Sequence, residues 1–127
     1  MKLMLDTHAF MWWDSNPSLL SSAALAAILD PENEVWISVV CPWEMAIKSQ
    51  LGKLDLRLPL ADIVSGQRLN GLRFLDVTTE HVLAVASLPL VHKDPFDRLL
   101  AAQSIIEGAE LVTADHVFAG YPVRVLW

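Results

Sequence analysis

Short apolar segments of strand length alternate with longer helical segments along almost the whole chain, and this alternation strongly constrains the fold. The strand-like segments are rich in aliphatic and β-branched residues and are only a few residues long. They are Lys2–Leu5, Val35–Val40, Arg73–Val77, Leu111–Thr113 and Val123–Trp127. A chain that alternates strands with helices forms a mostly parallel sheet with helices on both faces. The sequence therefore predicts an α/β fold.

Local signals at segment ends predict where the helices begin and end. Pro42 suits the first turn of a helix, because its missing N–H would be unpaired there anyway, and Gly52 is placed to end that helix. Pro31 and Pro89 are placed to stop two others. Including the two that these prolines stop, the other predicted helices are Ser18–Leu29, Leu60–Leu69, Thr79–Leu88 and Asp94–Glu107.

Four acidic residues lie where predicted strands end or predicted helices begin. Asp6 directly follows the first strand, and Asp115 follows the strand that ends at Thr113. Glu44 and Asp97 stand near the starts of helices. In parallel sheets, sites form at the carboxyl ends of the strands, so these carboxylates can converge. Crowded carboxylates repel one another unless a hard cation lies among them, and the pattern therefore predicts a Mg²⁺ or Mn²⁺ site.

Each acid also has an ordinary structural explanation. Asp6, Asp94 and Asp115 are each placed to cap a helix or turn, and Asp97 can complement the positive end of a helix dipole. Glu44 can form a surface pair with the lysine four residues later, worth roughly 0.3–0.5 kcal/mol. Separate explanations that all place a carboxylate at one edge of the sheet are less economical than a single shared site.

Composition restricts the partners and the compartment. The hydrophobic fraction is 54%, above the usual range, which indicates apolar surface covered by a homodimer partner or another protein. The net charge of −6 argues mildly against nucleic-acid binding by bulk electrostatics, although bound cations would cancel part of it locally. The single cysteine and the lack of a secretory signal or membrane-spanning segment predict a cytoplasmic protein without membrane attachment. The histidines show no zinc-ligand spacing on one helix, and no zinc site is expected.

Several segments, in order along the chain, resemble PIN-domain proteins, specifically the VapC-type toxins of bacterial and archaeal toxin–antitoxin pairs. They are Leu3–His8, Trp43–Lys48, His92–Gln103, Glu110–Asp115 and Tyr121–Trp127. The resemblance covers the whole chain, and it implies one PIN domain over residues 1–127, an α/β/α sandwich around a mostly parallel sheet. It also implies a metal-dependent endoribonuclease, a homodimer and a cognate VapB-type antitoxin that obstructs the acidic site.

The resemblance carries the catalytic quartet onto particular residues of this sequence. The expected catalytic acids are Asp6, Glu44, Asp97 and Asp115. In the expected mechanism Asp6, Asp97 and Asp115 hold Mg²⁺, or Mn²⁺, directly or through water, and an RNA phosphodiester is hydrolysed. The residues expected to support these acids are Asp94, Thr7 and Thr113. The cations expected to contact RNA phosphates are Lys48, Lys53 and Arg98.

Other classes with acids at strand ends fit the sequence less well. A haloacid-dehalogenase-like phosphatase needs a second Asp two residues after the first, and His8 stands there. A receiver domain needs a phosphorylated Asp after its middle strand, where this chain has Cys41 and Pro42. Two alternatives stay open, a non-catalytic PIN-like scaffold that binds RNA or protein, and a metal nuclease directed at DNA.

Overall fold

The computed structural model describes residues 1–127, which form five strands, six α-helices and two 3₁₀ turns. The strands are β1 (Lys2–Leu5), β2 (Glu34–Ser38), β3 (Arg73–Leu75), β4 (Glu110–Val112) and β5 (Val125–Leu126). The helices are α1 (Thr7–Ser15), α2 (Ser22–Leu29), α3 (Val40–Gln50), α4 (Leu60–Leu69), α5 (Thr79–Val85) and α6 (Pro95–Glu107). The 3₁₀ turns span Pro17–Leu19 and His116–Gly120.

The strands form one sheet in the order β3-β2-β1-β4-β5, and every neighbouring pair is parallel. The predicted α/β fold is therefore confirmed, with a sheet that is parallel throughout. From β1 the chain builds outward through β2 and β3 on one side, then crosses to β4 and β5 on the other. The order thus reverses between β1 and β4, which is where such sheets open a crevice for ligands.

Side chains alternate between the two faces of the sheet, and each face is covered. Leu3 and Leu5 of β1 join a core of 15 buried residues with helices α1 to α4, while Met4 joins a second core of six. The second core includes Ala101 of α6 and Phe118. Helices pack on both faces, which gives the α/β/α layering that buried parallel strands require.

Some element boundaries differ from the predicted ones for local reasons. The predicted helix Ser18–Leu29 is a 3₁₀ turn followed by α2, because the side chain of Ser21 caps α2 by accepting from the Ala24 N–H. The strand predicted to reach Val40 stops at Ser38, whose hydroxyl accepts from the Val40 N–H and starts α3. Pro42 still falls in the first turn of α3, where a missing N–H is tolerated.

Helix α5 ends at Val85, before the predicted Leu88, and the carbonyl of Val85 accepts a hydrogen bond from the Arg98 guanidinium. Helices α4 and α6 have the predicted ends, apart from Asp94, which is the cap of α6 and precedes its first residue.

Large apolar side chains are exposed on several helices, as the high hydrophobic fraction suggested. The exposed group includes Leu29, Leu51, Leu69, Val82, Leu83, Leu90 and Ile105. None of the helices combines the length and apolar character needed to cross a lipid bilayer.

Candidate active site

Asp6 lies at the carboxyl end of β1 and is almost fully buried. One carboxylate oxygen caps α1 by accepting from the Ala9 N–H at 2.8 Å, and the other accepts from the Thr113 hydroxyl after β4. Burial raises the pKa of Asp6, while these two hydrogen bonds lower it and the charge of Asp115 raises it. The capping role is therefore real, but it uses only one oxygen of a carboxylate that stands at the reversal of strand order.

Glu44 is a buried residue of α3 and not a member of a solvated surface pair. The Thr7 hydroxyl donates to its Oε1 at 2.6 Å, and the Lys48 ammonium lies 2.9 Å from its Oε2. Thr7 belongs to the turn that follows Asp6, so this bond ties the start of α1 to α3. The Glu–Lys contact considered from the sequence is present, in a less solvated setting than expected.

Asp97 lies in the first turn of α6, three residues after Asp94, which caps the helix through the N–H groups of Phe96 and Asp97. Its Oδ2 is 3.0 Å from Nε2 of His92. The pKa of Asp97 is raised to about 6, first by burial and then by the charge of Asp94, with the His92 contact opposing the rise.

Asp115 follows β4 and is exposed beside Asp6. It caps the following 3₁₀ turn through the Val117 N–H, and its own N–H donates to the Thr113 hydroxyl oxygen at 3.0 Å. Thr113 thus holds both acids, as a donor to Asp6 and as an acceptor from Asp115. An open cavity of about 210 Å³ lies over them, lined by Asp6, His8, Trp12, Ala114 and Asp115.

The charges of three of the four acids act on the buried thiol of Cys41. Burial is the main reason that the pKa of its thiol is raised to about 12. The charges of Asp6, Glu44 and Asp97 raise it further, against a hydrogen bond with Thr7. Charge interactions weaken with distance, so these three acids lie near enough to Cys41 to act on it, and Asp115 lies near enough to act on Asp6.

This donor set fits a hard divalent cation. Carboxylate oxygens are the preferred ligands of Mg²⁺ and Mn²⁺, and crowded, partly desolvated acids gain most from a cation. The raised pKa values of Asp6 and Asp97 show that burial penalises their charged forms, and a bound cation would offset that penalty. The arrangement can therefore hold a divalent cation at the carboxyl edge of the sheet.

Comparison with known proteins agrees with this geometry. A family model of the PIN domain matches residues 3–123. The chain belongs to the PIN-domain family. A relative is Ribonuclease VapC22 of Mycobacterium tuberculosis, which is 30% identical over 114 residues, or 89% of this chain and 86% of the relative.

Solved structures share the PIN fold over nearly the whole chain. VapBC2 from Rickettsia felis, bound to a DNA fragment from its promoter, matches with a TM-score of 0.73 and 19% identity over 98% of this chain and 97% of that one. DNA-bound VapBC from Salmonella typhimurium matches with a TM-score of 0.67 and 18% identity over 98% and 96%.

The three basic side chains expected to contact RNA phosphates differ in their surroundings. Lys48 stands beside the acids through its contact with Glu44, and Lys53 is exposed beyond the end of α3. The Arg98 guanidinium donates instead to the carbonyls of Val85, Pro89 and His92. A phosphate contact by Arg98 would compete with these bonds.

Sequence reasoning missed His92 as a part of the site. The histidines have no zinc-ligand spacing on one helix, and His92 was noted only in the segment His92–Gln103 that resembles the family. The available signal was its position in the same short segment as Asp94 and Asp97.

The largest cavity, of about 580 Å³, lies at the other edge of the sheet between Asp30 and Arg73 and contains none of the four acids.

Proposed function

We propose that this PIN domain is the toxin of a VapBC-type toxin–antitoxin pair and acts as a Mg²⁺- or Mn²⁺-dependent endoribonuclease. The observation that carries the proposal is the set of acids around Cys41 at the reversal of strand order, with Asp115 beside Asp6. The relative named as a ribonuclease supports the same reaction class.

Asp6, Asp97 and Asp115 are the residues we assign to hold the cation. When bound, the cation supplies an acidified water as nucleophile and neutralises charge that develops on the phosphate. Mg²⁺ takes only one or two carboxylates directly, so some of the acids act through water. Glu44 is placed to orient the attacking water, and Asp94 fixes the start of α6 that carries Asp97.

Two hydroxyl groups keep the acids in place before any substrate arrives. Thr7 orients Glu44 and Thr113 orients Asp6, each by donating a hydrogen bond to one carboxylate oxygen. Groups that orient ligands in this way tune both the affinity and the geometry of a metal site. The two threonines are therefore positioning residues in the proposed mechanism.

Positive charge and an exposed aromatic ring beside the acids suit an RNA strand with unpaired bases. Lys48 and Lys53 are assigned to phosphate contacts. Trp43, directly before Glu44, is 59% exposed, and its ring packs edge-on against Phe96 at 5.1 Å. Exposed aromatic rings stack on unpaired bases, which predicts a single-stranded loop as the substrate.

A VapB-type antitoxin is the proposed protein partner. The structural neighbours are VapBC complexes, and the ring of Trp43, directly before Glu44, stands exposed. An antitoxin segment that covers this edge of the sheet would obstruct the cation site. This partner also accounts for part of the high hydrophobic fraction.

The test is incubation of antitoxin-free protein with total RNA in Mg²⁺, in Mn²⁺ and in chelator. Asp6→Asn is the informative variant, because Asn can still cap α1 and still contact Thr113 while one ligand charge is lost. We expect metal-dependent fragments with the wild-type protein, and a loss of at least about 100-fold in rate with Asp6→Asn.

The matched control is Asp30→Asn, an exposed acid at the opposite edge of the sheet. It should cleave at the wild-type rate. Cleavage of single-stranded DNA at a similar rate would favour the DNA-directed nuclease. Metal binding without cleavage of any nucleic acid would favour the non-catalytic scaffold, and wild-type activity in Asp6→Asn would overturn the assignment of Asp6.

A further inference from the structure

An imidazole nitrogen lies among the acids at the α6 end of the site. One ligand atom from each of His92, Asp94 and Asp97 can be chosen so that all lie within 4.8 Å of one another. The ring of His92 is partly exposed, with Nε2 directed at Asp97. Neither the four expected catalytic acids nor their expected supporting residues include this histidine.

The backbone that carries His92 is held in place although it lies outside regular structure. The His92 carbonyl accepts from the Arg98 guanidinium at 3.4 Å and from the Tyr121 hydroxyl at 3.3 Å. Val91 packs where a side chain on Gly120 would stand, since a Cβ there would lie 2.5 Å from a Val91 methyl group. The imidazole is therefore presented from a fixed segment.

The spacing of the ligand atoms matches a coordination site. Two ligand atoms that each lie about 2.1 Å from one metal ion, at right angles to each other about it, are about 3.0 Å apart. That is the separation of His92 Nε2 and Asp97 Oδ2, 3.0 Å. Asp94 uses Oδ1 for both of its capping bonds, which leaves Oδ2 for a cation.

We propose that His92 supplies a nitrogen ligand, together with Asp97 and Asp94, to a divalent cation, and thereby selects Mn²⁺ over Mg²⁺. Mg²⁺ takes oxygen ligands and gives up its waters reluctantly, whereas first-row transition ions accept an imidazole nitrogen, Mn²⁺ the most weakly of them. A nitrogen ligand therefore favours Mn²⁺ relative to Mg²⁺. The inference rests on the proposed metal-dependent function and specifies which cation its site prefers.

The test measures metal binding rather than cleavage. Mn²⁺ bound to the wild-type protein is examined by pulsed electron paramagnetic resonance, with histidine at natural abundance and labelled with ¹⁵N. We expect nitrogen coupling that changes with the label and disappears in His92→Gln. The matched control is His8→Gln, which lies at the opposite end of the acids beside Asp6 and should keep the coupling.

Affinities for the two cations separate a ligand from a residue that only orients Asp97. We expect His92→Gln to weaken Mn²⁺ binding about tenfold and to change Mg²⁺ binding less than about twofold. Equal losses for both cations would overturn the proposal, as would nitrogen coupling that is absent in the wild-type protein or persists in His92→Gln.

Circular dichroism of the metal-free variants confirms folding. His92→Ala provides a second variant with the same expected loss, and the ¹⁵N experiment on wild-type protein needs no substitution. Wild-type protein that binds neither cation would contradict the proposed function as well. Oxygen-only Mn²⁺ binding with RNA cleavage would contradict this inference alone.

Discussion

At the scale of single residues, the site depends on carboxyl groups in surroundings that oppose their negative charge. Asp97 is the clearest case, because burial and the charge of Asp94 act together on its carboxyl group. Such a group costs stability in the metal-free protein, and a bound cation offsets that cost. Function and stability therefore oppose each other at this position.

Asp97 gives the metal-free protein a defined pH dependence. Its pKa is raised from an ordinary value of 3.8 to about 6, so the folded protein binds more protons than the unfolded chain between those values. Stability is then highest below about pH 4 with respect to this group, and falls as pH rises through 6. In Asp97→Asn, the free energy of unfolding relative to wild type should rise by about 2 kcal/mol between pH 4 and pH 8.

Urea unfolding in chelator at both pH values measures this difference. Asp30→Asn serves as the control and should show no such change. Adding Mn²⁺ at pH 8 should stabilise the wild-type protein more than Asp97→Asn. An equal difference at both pH values would show that the Asp97 carboxyl is not destabilised by its surroundings.

At the scale of elements, helix α6 and the segment that precedes it act as one unit. Asp94 caps the helix, Pro95 occupies its first position and Gly108 ends it with a φ of 64°, a conformation that glycine adopts without strain. Arg98 extends backward from α6 and bonds three carbonyls of residues 85–92. The position of His92 beside Asp97 therefore depends on Arg98, which bonds the backbone of His92 and not its imidazole.

Replacing Arg98 tests whether it holds this segment or contacts RNA. We expect Arg98→Gln to increase amide hydrogen exchange in residues 86–93 and to lower stability by about 1–3 kcal/mol, because three charge-assisted hydrogen bonds to carbonyls, two of them partly buried, are lost. Lys48→Gln is the matched change of a cation that remains a candidate for RNA contact. It should weaken RNA binding without altering exchange in that segment.

Unchanged exchange in Arg98→Gln together with weaker RNA binding would instead support the phosphate contact predicted from the sequence. The two variants are compared under the same salt concentration, because phosphate contacts weaken as salt rises.

At the scale of the whole molecule, exposed apolar surface on α5 and α6 is the feature that most needs a partner. Val82 and Leu83 are 54% and 67% exposed, and Ile105 is 40% exposed. A shallow cavity of about 260 Å³ lies between these helices, with Leu88 and Ile105 in its lining. Exposed apolar side chains on two helices that pack together are typical of protein interfaces. We propose this face as the interface of the homodimer that the family resemblance predicts.

A charged side chain introduced at this face should prevent the antitoxin-free protein from forming a dimer. We expect wild-type protein to sediment as a dimer and Leu83→Glu to sediment as a monomer with an unchanged circular dichroism spectrum. Leu69→Glu, at the end of α4, is the control, because Leu69 is 89% exposed but lies apart from these helices. A monomeric wild-type protein, or a dimer that survives Leu83→Glu, would place the interface elsewhere or remove it.

The sequence by itself determined the alternation of strands and helices, and hence the fold. Buried parallel strands can be predicted directly from the sequence, because runs such as Leu3–Leu5 must be apolar on both faces of the sheet. It also placed Asp6 and Asp115 after the carboxyl ends of two strands, which the structure shows to be neighbours. Helix ends that depend on a neighbouring side chain, such as the end of α5 near Arg98, could not be predicted from the local pattern.

Only the tertiary structure decided which side chains meet. From the sequence, Glu44 could be a surface partner of Lys48, but its burial follows from α3 packing against α1 and α6. The contacts of Thr113 with Asp6 and of His92 with Asp97 likewise depend on loops brought together by distant elements. Periodicity records which face of an element is buried, whereas the distance between two functional atoms is set by packing.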